Sequence, residues 1–197
     1  LHLVSAWAQE SNILLGQCAV DKKSNEITKI PELLKMLEIT GAIVTIDAMG
    51  CQKEIARTIV NESKADYVLA LKDNHKAMAD EVKALFRLVE KNTTEGFATD
   101  TFEETDKGHG RLESRTCSCI TAENTLEHVA PGWPGLRTVV KIESTRQSAG
   151  KTTAETRYYI ASLACNAKQI GKAIRSHWGI ENSLHWVLDI SFREDES

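Results

Sequence analysis

The middle of the chain alternates between apolar runs of strand length and stretches with helical spacing, and this alternation constrains the fold most. Residues 42–46 and 67–71 are short, largely apolar runs that are typical of buried strands. Each run precedes a stretch whose apolar residues recur at helical spacing, 52–62 in the first case and 75–90 in the second. A strand, helix, strand, helix order predicts at least two parallel strands in an α/β sheet.

The N-terminal part predicts further elements of this sheet. Residues 1–8 and 12–20 are interpreted as two strands joined by a polar turn, and we expect them to make the sheet mixed. Ser24 or Asn25 then caps a helix that runs to about Leu37. An alternative start for that helix is at Pro31, with proline in its first turn.

The composition changes after residue 91. Thr, Ser and Gly become frequent, and three short β-type runs are separated by Gly-rich or Pro-rich turns; the runs are 111–120, 136–144 and 156–163. We interpret 92–164 as a β-rich insertion that follows a core at 1–91. Helical periodicity returns at Asn166, a predicted N-cap, so 165–197 is interpreted as a helix that returns to the core and runs to about Leu188.

Bulk composition limits the class of protein. The 197 residues are 42% hydrophobic, which suits one ordinary core, and no apolar run reaches the ~18–20 residues that a membrane span needs. Five cysteines without disulfide spacing indicate reduced thiols and a cytoplasmic protein. The net charge is -4, yet residues 135–176 hold eight Lys and Arg against two Glu. This local excess is a weak indication of nucleic-acid contact.

One candidate functional residue, Asp47, ends the apolar run 42–46. Ligand sites in open α/β sheets lie at the carboxyl ends of strands, so an acid here can reach a metal ion. The alternative is that Asp47 caps the turn at 48–50. Lys72 and Asn74 follow the next strand at the same edge, where they would contact phosphate, hold Asp47 or simply form a connecting loop.

A second candidate, Glu181, lies on the apolar stripe of the last predicted helix, between Trp178 and Leu184. Burial of a lone carboxylate costs several kcal/mol unless it is paired or binds metal. A salt bridge to a neighbouring Lys or Arg is the alternative explanation. Acids from two separate segments are the kind of ligands that Mg²⁺ uses in phosphodiester chemistry.

Several segments resemble one known family. They are VTIDAMGCQKEIA (44–56), YVLALKDNH (67–75), GHGRLESR (108–115), RYYIASL (157–163) and HWGIENSLHWVLDISFRED (177–195). In this order they resemble the bacterial H-repeat-associated proteins, which are insertion-sequence transposases of the DDE superfamily. The resemblance implies an α/β, ribonuclease H-like mixed sheet with flanking helices, here lacking its first strand, and a β-rich insertion before the last helix.

The resemblance also implies a mechanism. Asp47 and Glu181 match the second and third catalytic, metal-binding acids, which hold two Mg²⁺ (or Mn²⁺) ions for DNA strand cleavage and strand transfer. The family's first Asp lies upstream of the region that matches Leu1, and the chain does not begin with Met. We therefore expect an N-terminally truncated and inactive fragment. The implied partners are DNA, as element ends and target, and a second copy in a synaptic homodimer.

The expected DNA contacts are polar or basic residues near the two acids or in the insertion. They are Lys72, Asn74, His109, Arg111, Arg115, Arg175, His177 and His185. The last helix departs from the Tyr-Arg-Glu-Lys signature of related transposases, with Ile174, His177 and Leu188 at the Tyr, Arg and Lys positions.

Two other functions remain open from the sequence. One is a DNA-binding remnant of a transposase that performs no chemistry. The other is a zinc hydrolase that uses His177, Glu181 and His185. The two histidines would lie about 12 Å apart along a helix, too far for one ion with Zn–N bonds of about 2.0–2.1 Å.

Overall fold

A computed structural model describes residues 2–20, 25–91, 97–108, 111–122, 126, 132–148 and 150–180. It contains a six-stranded mixed sheet and a separate two-stranded sheet. Two hydrophobic clusters lie on the two faces of the large sheet, one beneath the first three helices and the other beneath the fourth. No helix in the described ranges is long and apolar enough to cross a membrane.

The first two strands form a hairpin of their own. β1 (His2–Ala8) and β2 (Ile13–Val20) pair antiparallel with each other and make up the two-stranded sheet. The expectation that they belong to the mixed sheet is therefore wrong. Apolar alternation specifies that a segment is a strand but leaves its pairing partner open. The hairpin instead lies against the following helix, where Gly16 approaches Leu33.

That helix, α1 (Glu26–Lys35), has Asn25 as its N-cap, one of the two predicted caps, and the Asn25 side chain accepts a hydrogen bond from the Thr28 N–H at 3.2 Å. Pro31 lies inside the helix, so the alternative start at Pro31 is wrong. Leu33 and Leu34 are buried and anchor α1 to the rest of the protein.

The predicted strand–helix alternation is present. It comprises β3 (Ile43–Ile46), α2 (Lys53–Arg57), β4 (Asp66–Leu71) and α3 (Lys76–Glu90). β3 and β4 are parallel, with Val44 opposite Tyr67. The helix predicted at 52–62 is α2 followed by a π-helical turn at Thr58–Glu62. β3 is an edge strand and only half-buried, which corrects the expectation of a buried strand.

The segment after α3 supplies four long strands of the same sheet. They are β5 (Thr99–Gly108), β6 (Arg111–Thr121), β7 (Thr138–Ser148) and β8 (Lys151–Ala161), in the overall order β3-β4-β8-β7-β6-β5. β8 pairs antiparallel with β4, which is what makes the sheet mixed. The predicted β-rich segment thus extends the core sheet, and the division at residues 92 and 164 stays a prediction.

β5 was not predicted, because TDTFEETDKG lacks the apolar alternation by which a strand is detected. Its only apolar side chain, Phe102, packs against the cluster beneath the fourth helix. Pairing with β6 along the full length of β5 supplies hydrogen-bond partners for the backbone groups of β5 that face β6.

The fourth helix, α4 (Ala167–Ile180), begins at the predicted N-cap: Asn166 Oδ1 accepts a hydrogen bond from the Gln169 N–H at 2.9 Å. Ile170 and Ile174 are buried against the face of the sheet opposite to α2 and α3. The remainder of the predicted helix, from residue 181 onward, lies outside the described residues.

Candidate active site

The candidate site is built on the turn that follows β3. Asp47 is exposed immediately after the last residue of the strand. Its Oδ1 atom accepts hydrogen bonds from the N–H groups of Met49 at 3.1 Å and Gly50 at 3.2 Å. Asp47 therefore does cap the turn, as the alternative explanation held. Both bonds go to one oxygen, so the geometry is compatible with a cation at Oδ2.

Two residues fix the far end of this turn in the core. Gly50 is buried, and a Cβ atom there would lie 2.2 Å from Ile46 Cγ2, so no larger residue fits without a shift. Cys51 is fully buried, and burial raises the pKa of its thiol to about 12. The thiol is consequently protonated and unreactive at neutral pH.

The carboxyl ends of β3 and β4 lie at one edge, as the sequence predicted. After β4 the chain forms a 3₁₀ turn, Asp73–His75, which reaches the Asp47 turn. Asn74 Nδ2 donates to the carbonyl oxygen of Ala48 at 2.5 Å. His75 Nε2 lies 2.6 Å from the carbonyl oxygen of Cys51. Lys72 is exposed at this same edge.

Helix α4 reaches β3 through His177. The Nδ1 atom of His177 lies 3.1 Å from the hydroxyl oxygen of Thr45, across 132 residues of chain. Thr45 precedes Asp47 by two residues, and His177 precedes Glu181 by four. Glu181, His185 and His109 lie outside the described residues.

The three predicted DNA-binding arginines are all engaged with acids on β5 and β6. Arg175 donates to Glu104 at 2.6 Å and to Asp106 at 2.9 Å, and hydrogen bonding to Glu104 raises its pKa. Two further pairs join Arg115 to Glu113 at 2.6 Å and Arg111 to Glu113 at 3.6 Å. These acids neutralise the arginines locally.

The local excess of basic residues at 135–176 is also partly neutralised. Lys141 has a buried side chain that forms ion pairs with Glu90 on α3 and with Glu143 at 2.7 Å. Charge counting along the sequence included Glu143 but not Glu90, which comes from another segment. The count of charged residues at 135–176 therefore overstates the positive charge that this segment presents at the surface.

Sequence reasoning missed Thr45 and His75. The signal for Thr45 is its position two residues before Asp47, since alternate residues of a strand share a face. The signal for His75 is its place in the segment LKDNH, directly after Asn74 and at the same edge of the sheet.

The donor chemistry of Asp47 fits a hard divalent cation. Mg²⁺ takes oxygen ligands, often one or two carboxylates together with waters, and Asp47 presents an exposed carboxylate. Within the described ranges, no group of three His, Cys, Asp or Glu residues is arranged to hold a metal ion. The predicted second acid, Glu181, lies outside those ranges.

Comparison with known proteins identifies relatives over the full chain. A family model described as "Transposase DDE domain" matches residues 1–197. "Putative transposase YncI" of Escherichia coli O157:H7 is 40% identical, over 100% of this chain and 50% of its own length. "H repeat-associated putative transposase YhhI" of Escherichia coli K12 is 38% identical, over 100% of this chain and 52% of its own length. The chain thus spans about half the length of these curated relatives. No solved structure matches it significantly.

Proposed function

The chain belongs to the transposase DDE domain family, and from this premise we propose that it is the catalytic domain of an enzyme that cuts and rejoins DNA. The proposed reaction is metal-dependent strand cleavage at element ends followed by transfer of the 3′ end to target DNA. A ribonuclease H-like core is part of the proposal, and the parallel pair β3 and β4 with helices on both faces of the sheet supports it. The activity is proposed for the complete protein.

The contact between Thr45 and His177 is the observation that carries the proposal. It brings the C-terminal part of α4 to the strand that ends at Asp47. Glu181 follows His177 by four residues, so covalent geometry alone limits their Cα separation to about 14 Å. Asp47 and Glu181 are thus attached to two segments that meet, which supports a shared metal site.

Asp47 and Glu181 are proposed to hold two Mg²⁺ (or Mn²⁺) ions. Bound divalent ions would stabilise the negative charge on the attacking and leaving oxygens of the phosphodiester. The protein's own contribution at Asp47 is orientation, because the Met49 and Gly50 N–H groups fix Oδ1. A carboxylate held in this way loses little conformational freedom when a cation binds.

DNA is the proposed partner, with a second copy of the protein in a synaptic homodimer. Phosphate contacts are assigned to the polar and basic residues Lys72, Asn74, His109, Arg111, Arg115, Arg175, His177 and His185. For Arg111, Arg115 and Arg175 the proposal requires DNA phosphates to compete with Glu104, Asp106 and Glu113. Such exchange is easiest for Arg111 and Arg175, whose side chains are exposed, because ion pairs at the surface are individually weak; Arg115 and its partner Glu113 are half-buried.

The test is a strand-cleavage assay on the complete protein with DNA that carries the element ends. We expect cleavage with Mg²⁺ or Mn²⁺ and a loss of about a hundredfold or more in Asp47→Asn and in Glu181→Gln. Asp80→Asn on α3 is the matched control, because this carboxylate pairs with Lys83 on the opposite side of the sheet. Full cleavage by Asp47→Asn would overturn the proposal. DNA binding without cleavage under any metal would identify a non-catalytic remnant.

A further inference from the structure

The Asp47 turn projects from the edge of the sheet. In the described part of the chain, β3 pairs only with β4, and the ladder ends at Ile46 opposite Leu69. Beyond Ile46 the position of the backbone is therefore not fixed by strand pairing. Burial of Gly50 and Cys51 anchors the far end of the turn in the core, and further contacts hold the turn against the neighbouring strand β4.

Hydrogen bonds within the turn fix its shape. Asp47 accepts from the N–H groups of Met49 and Gly50, and the Cys51 N–H donates to the Ala48 carbonyl at 3.3 Å. All of these groups belong to residues 47–51. They make the turn compact but do not connect it to the neighbouring strand.

Two adjacent residues after β4 make that connection. Asn74 donates to the carbonyl of Ala48, and the His75 ring reaches the carbonyl of Cys51. A carbonyl oxygen only accepts, so His75 Nε2 carries the proton in this bond. The His75 ring also packs edge-on against Trp133, with ring centroids 5.2 Å apart. In this orientation the imidazole meets both the Trp133 ring and the Cys51 carbonyl oxygen.

We propose that Asn74 and His75 form a clamp that holds the Asp47 turn at the carboxyl end of β3, and that both are positioning residues for the Asp47 carboxylate. The clamp itself follows from the contacts of the free protein, whereas its effect on metal use rests on the proposed function. Neither residue needs to touch the metal or DNA for this role. This role of Asn74, a hydrogen bond to the Ala48 carbonyl oxygen, does not require DNA and is additional to the phosphate contact predicted for Asn74.

The first experiment measures the clamp without any catalysis. Amide hydrogen exchange of Met49 and Gly50 is recorded by NMR on the complete protein, its Asn74→Ala variant and its His75→Leu variant. Loss of one hydrogen bond should accelerate exchange at these two amides by roughly threefold to tenfold. His75→Gln retains an N–H donor at similar reach and should restore the slow exchange. Asn61→Ala, an exposed position in the π-helical turn, is the matched control.

The second experiment measures positioning. In metal titrations of DNA cleavage, Asn74→Ala and His75→Leu should require severalfold more Mg²⁺ for half-maximal rate, and His75→Gln and Asn61→Ala should not. A residue that serves stability alone would lower the melting temperature but leave the metal requirement of the folded enzyme unchanged.

The two experiments test separately whether the clamp exists and whether it positions the Asp47 carboxylate. Unchanged exchange at Met49 and Gly50 in both Asn74→Ala and His75→Leu overturns the clamp. Faster exchange with an unchanged metal requirement overturns the positioning role. If exchange at Met49 and Gly50 is faster in the two variants but the complete protein itself never cleaves DNA, the clamp is supported and the proposed function is rejected.

Discussion

The hydroxyl oxygen of Thr45 lies 3.1 Å from Nδ1 of His177, and this contact joins the edge strand β3 to the C-terminal part of α4. The two residues are 132 positions apart in sequence. Each lies within four residues of an acid that the family resemblance assigns to the metal site. The fold thus brings His177, the first residue of the segment 177–195, to the strand that ends just before Asp47.

The contact should contribute measurably to stability. Thr45→Val keeps the shape of the half-buried side chain but removes the hydroxyl, so we expect the free energy of unfolding to fall by about 1 kcal/mol. Thr45→Ser retains the hydroxyl and should lose less. Urea denaturation of both variants is the measurement, and a Thr45→Val protein as stable as the wild type would show that the contact contributes nothing.

The turn cap that Asp47 forms and its proposed role as a metal ligand should separate by substitution. Asn keeps an oxygen acceptor for the Met49 and Gly50 N–H groups, whereas Ala does not. Asp47→Ala should therefore reduce the free energy of unfolding by about 1 kcal/mol, and Asp47→Asn by much less. Both should reduce cleavage by the complete protein about a hundredfold or more. Thermal denaturation checks the difference; equal stabilities of the two variants would contradict the capping role.

The close packing at Gly50 predicts a strong effect of a single methyl group. In Gly50→Ala the new Cβ would meet Ile46 Cγ2, so the turn must shift, at a cost of about 1–3 kcal/mol in stability. Gly108 at the end of β5 is the control position, because a Cβ atom added there would have no neighbouring atom within 4 Å. Comparable melting temperatures for Gly50→Ala and Gly108→Ala would show that the backbone near Asp47 adapts.

Burial of Cys51 predicts a pH dependence of stability. Its folded-state pKa of about 12 lies above the ordinary value near 8.5, so the contribution is complete below pH 8.5 and is lost as pH rises towards 12. The free energy of unfolding should fall by up to about 1 kcal/mol per pH unit in that range, and Cys51→Ala should reduce the slope.

Alkylation by iodoacetamide at pH 8 should spare Cys51 but modify the half-buried Cys18.

The acids that pair with Arg175 should weaken DNA binding. Glu104→Gln and Asp106→Asn remove competitors for the guanidinium and should raise the affinity for DNA, measured by fluorescence anisotropy. Arg175→Ala should lower affinity and reduce the slope of log K against log salt by about one. Arg57→Ala on α2, which pairs with Glu54, is the control on the other face of the sheet. An unchanged salt slope in Arg175→Ala would exclude a phosphate contact there.

Local signals predicted much of the secondary structure. The caps at Asn25 and Asn166 are confirmed, because side-chain capping acts within a few residues. The parallel pair β3 and β4 is confirmed because its prediction came from the order of the elements, in which a helix connects two consecutive strands. β5 was missed because its side chains are mostly polar and it is stabilised by pairing with β6.

The sequence by itself determined the family, through motifs spread along the chain, and the identity of Asp47 as the acid at the end of a strand. Only the tertiary structure decided that the β1–β2 hairpin stands apart from the mixed sheet, that acids neutralise Arg115 and Arg175, and that Asn74 and His75 contact carbonyl oxygens of the Asp47 turn. The reason is that strand pairing, ion pairing and side-chain hydrogen bonding depend on distances between segments far apart in the chain, and local periodicity carries no information about those distances.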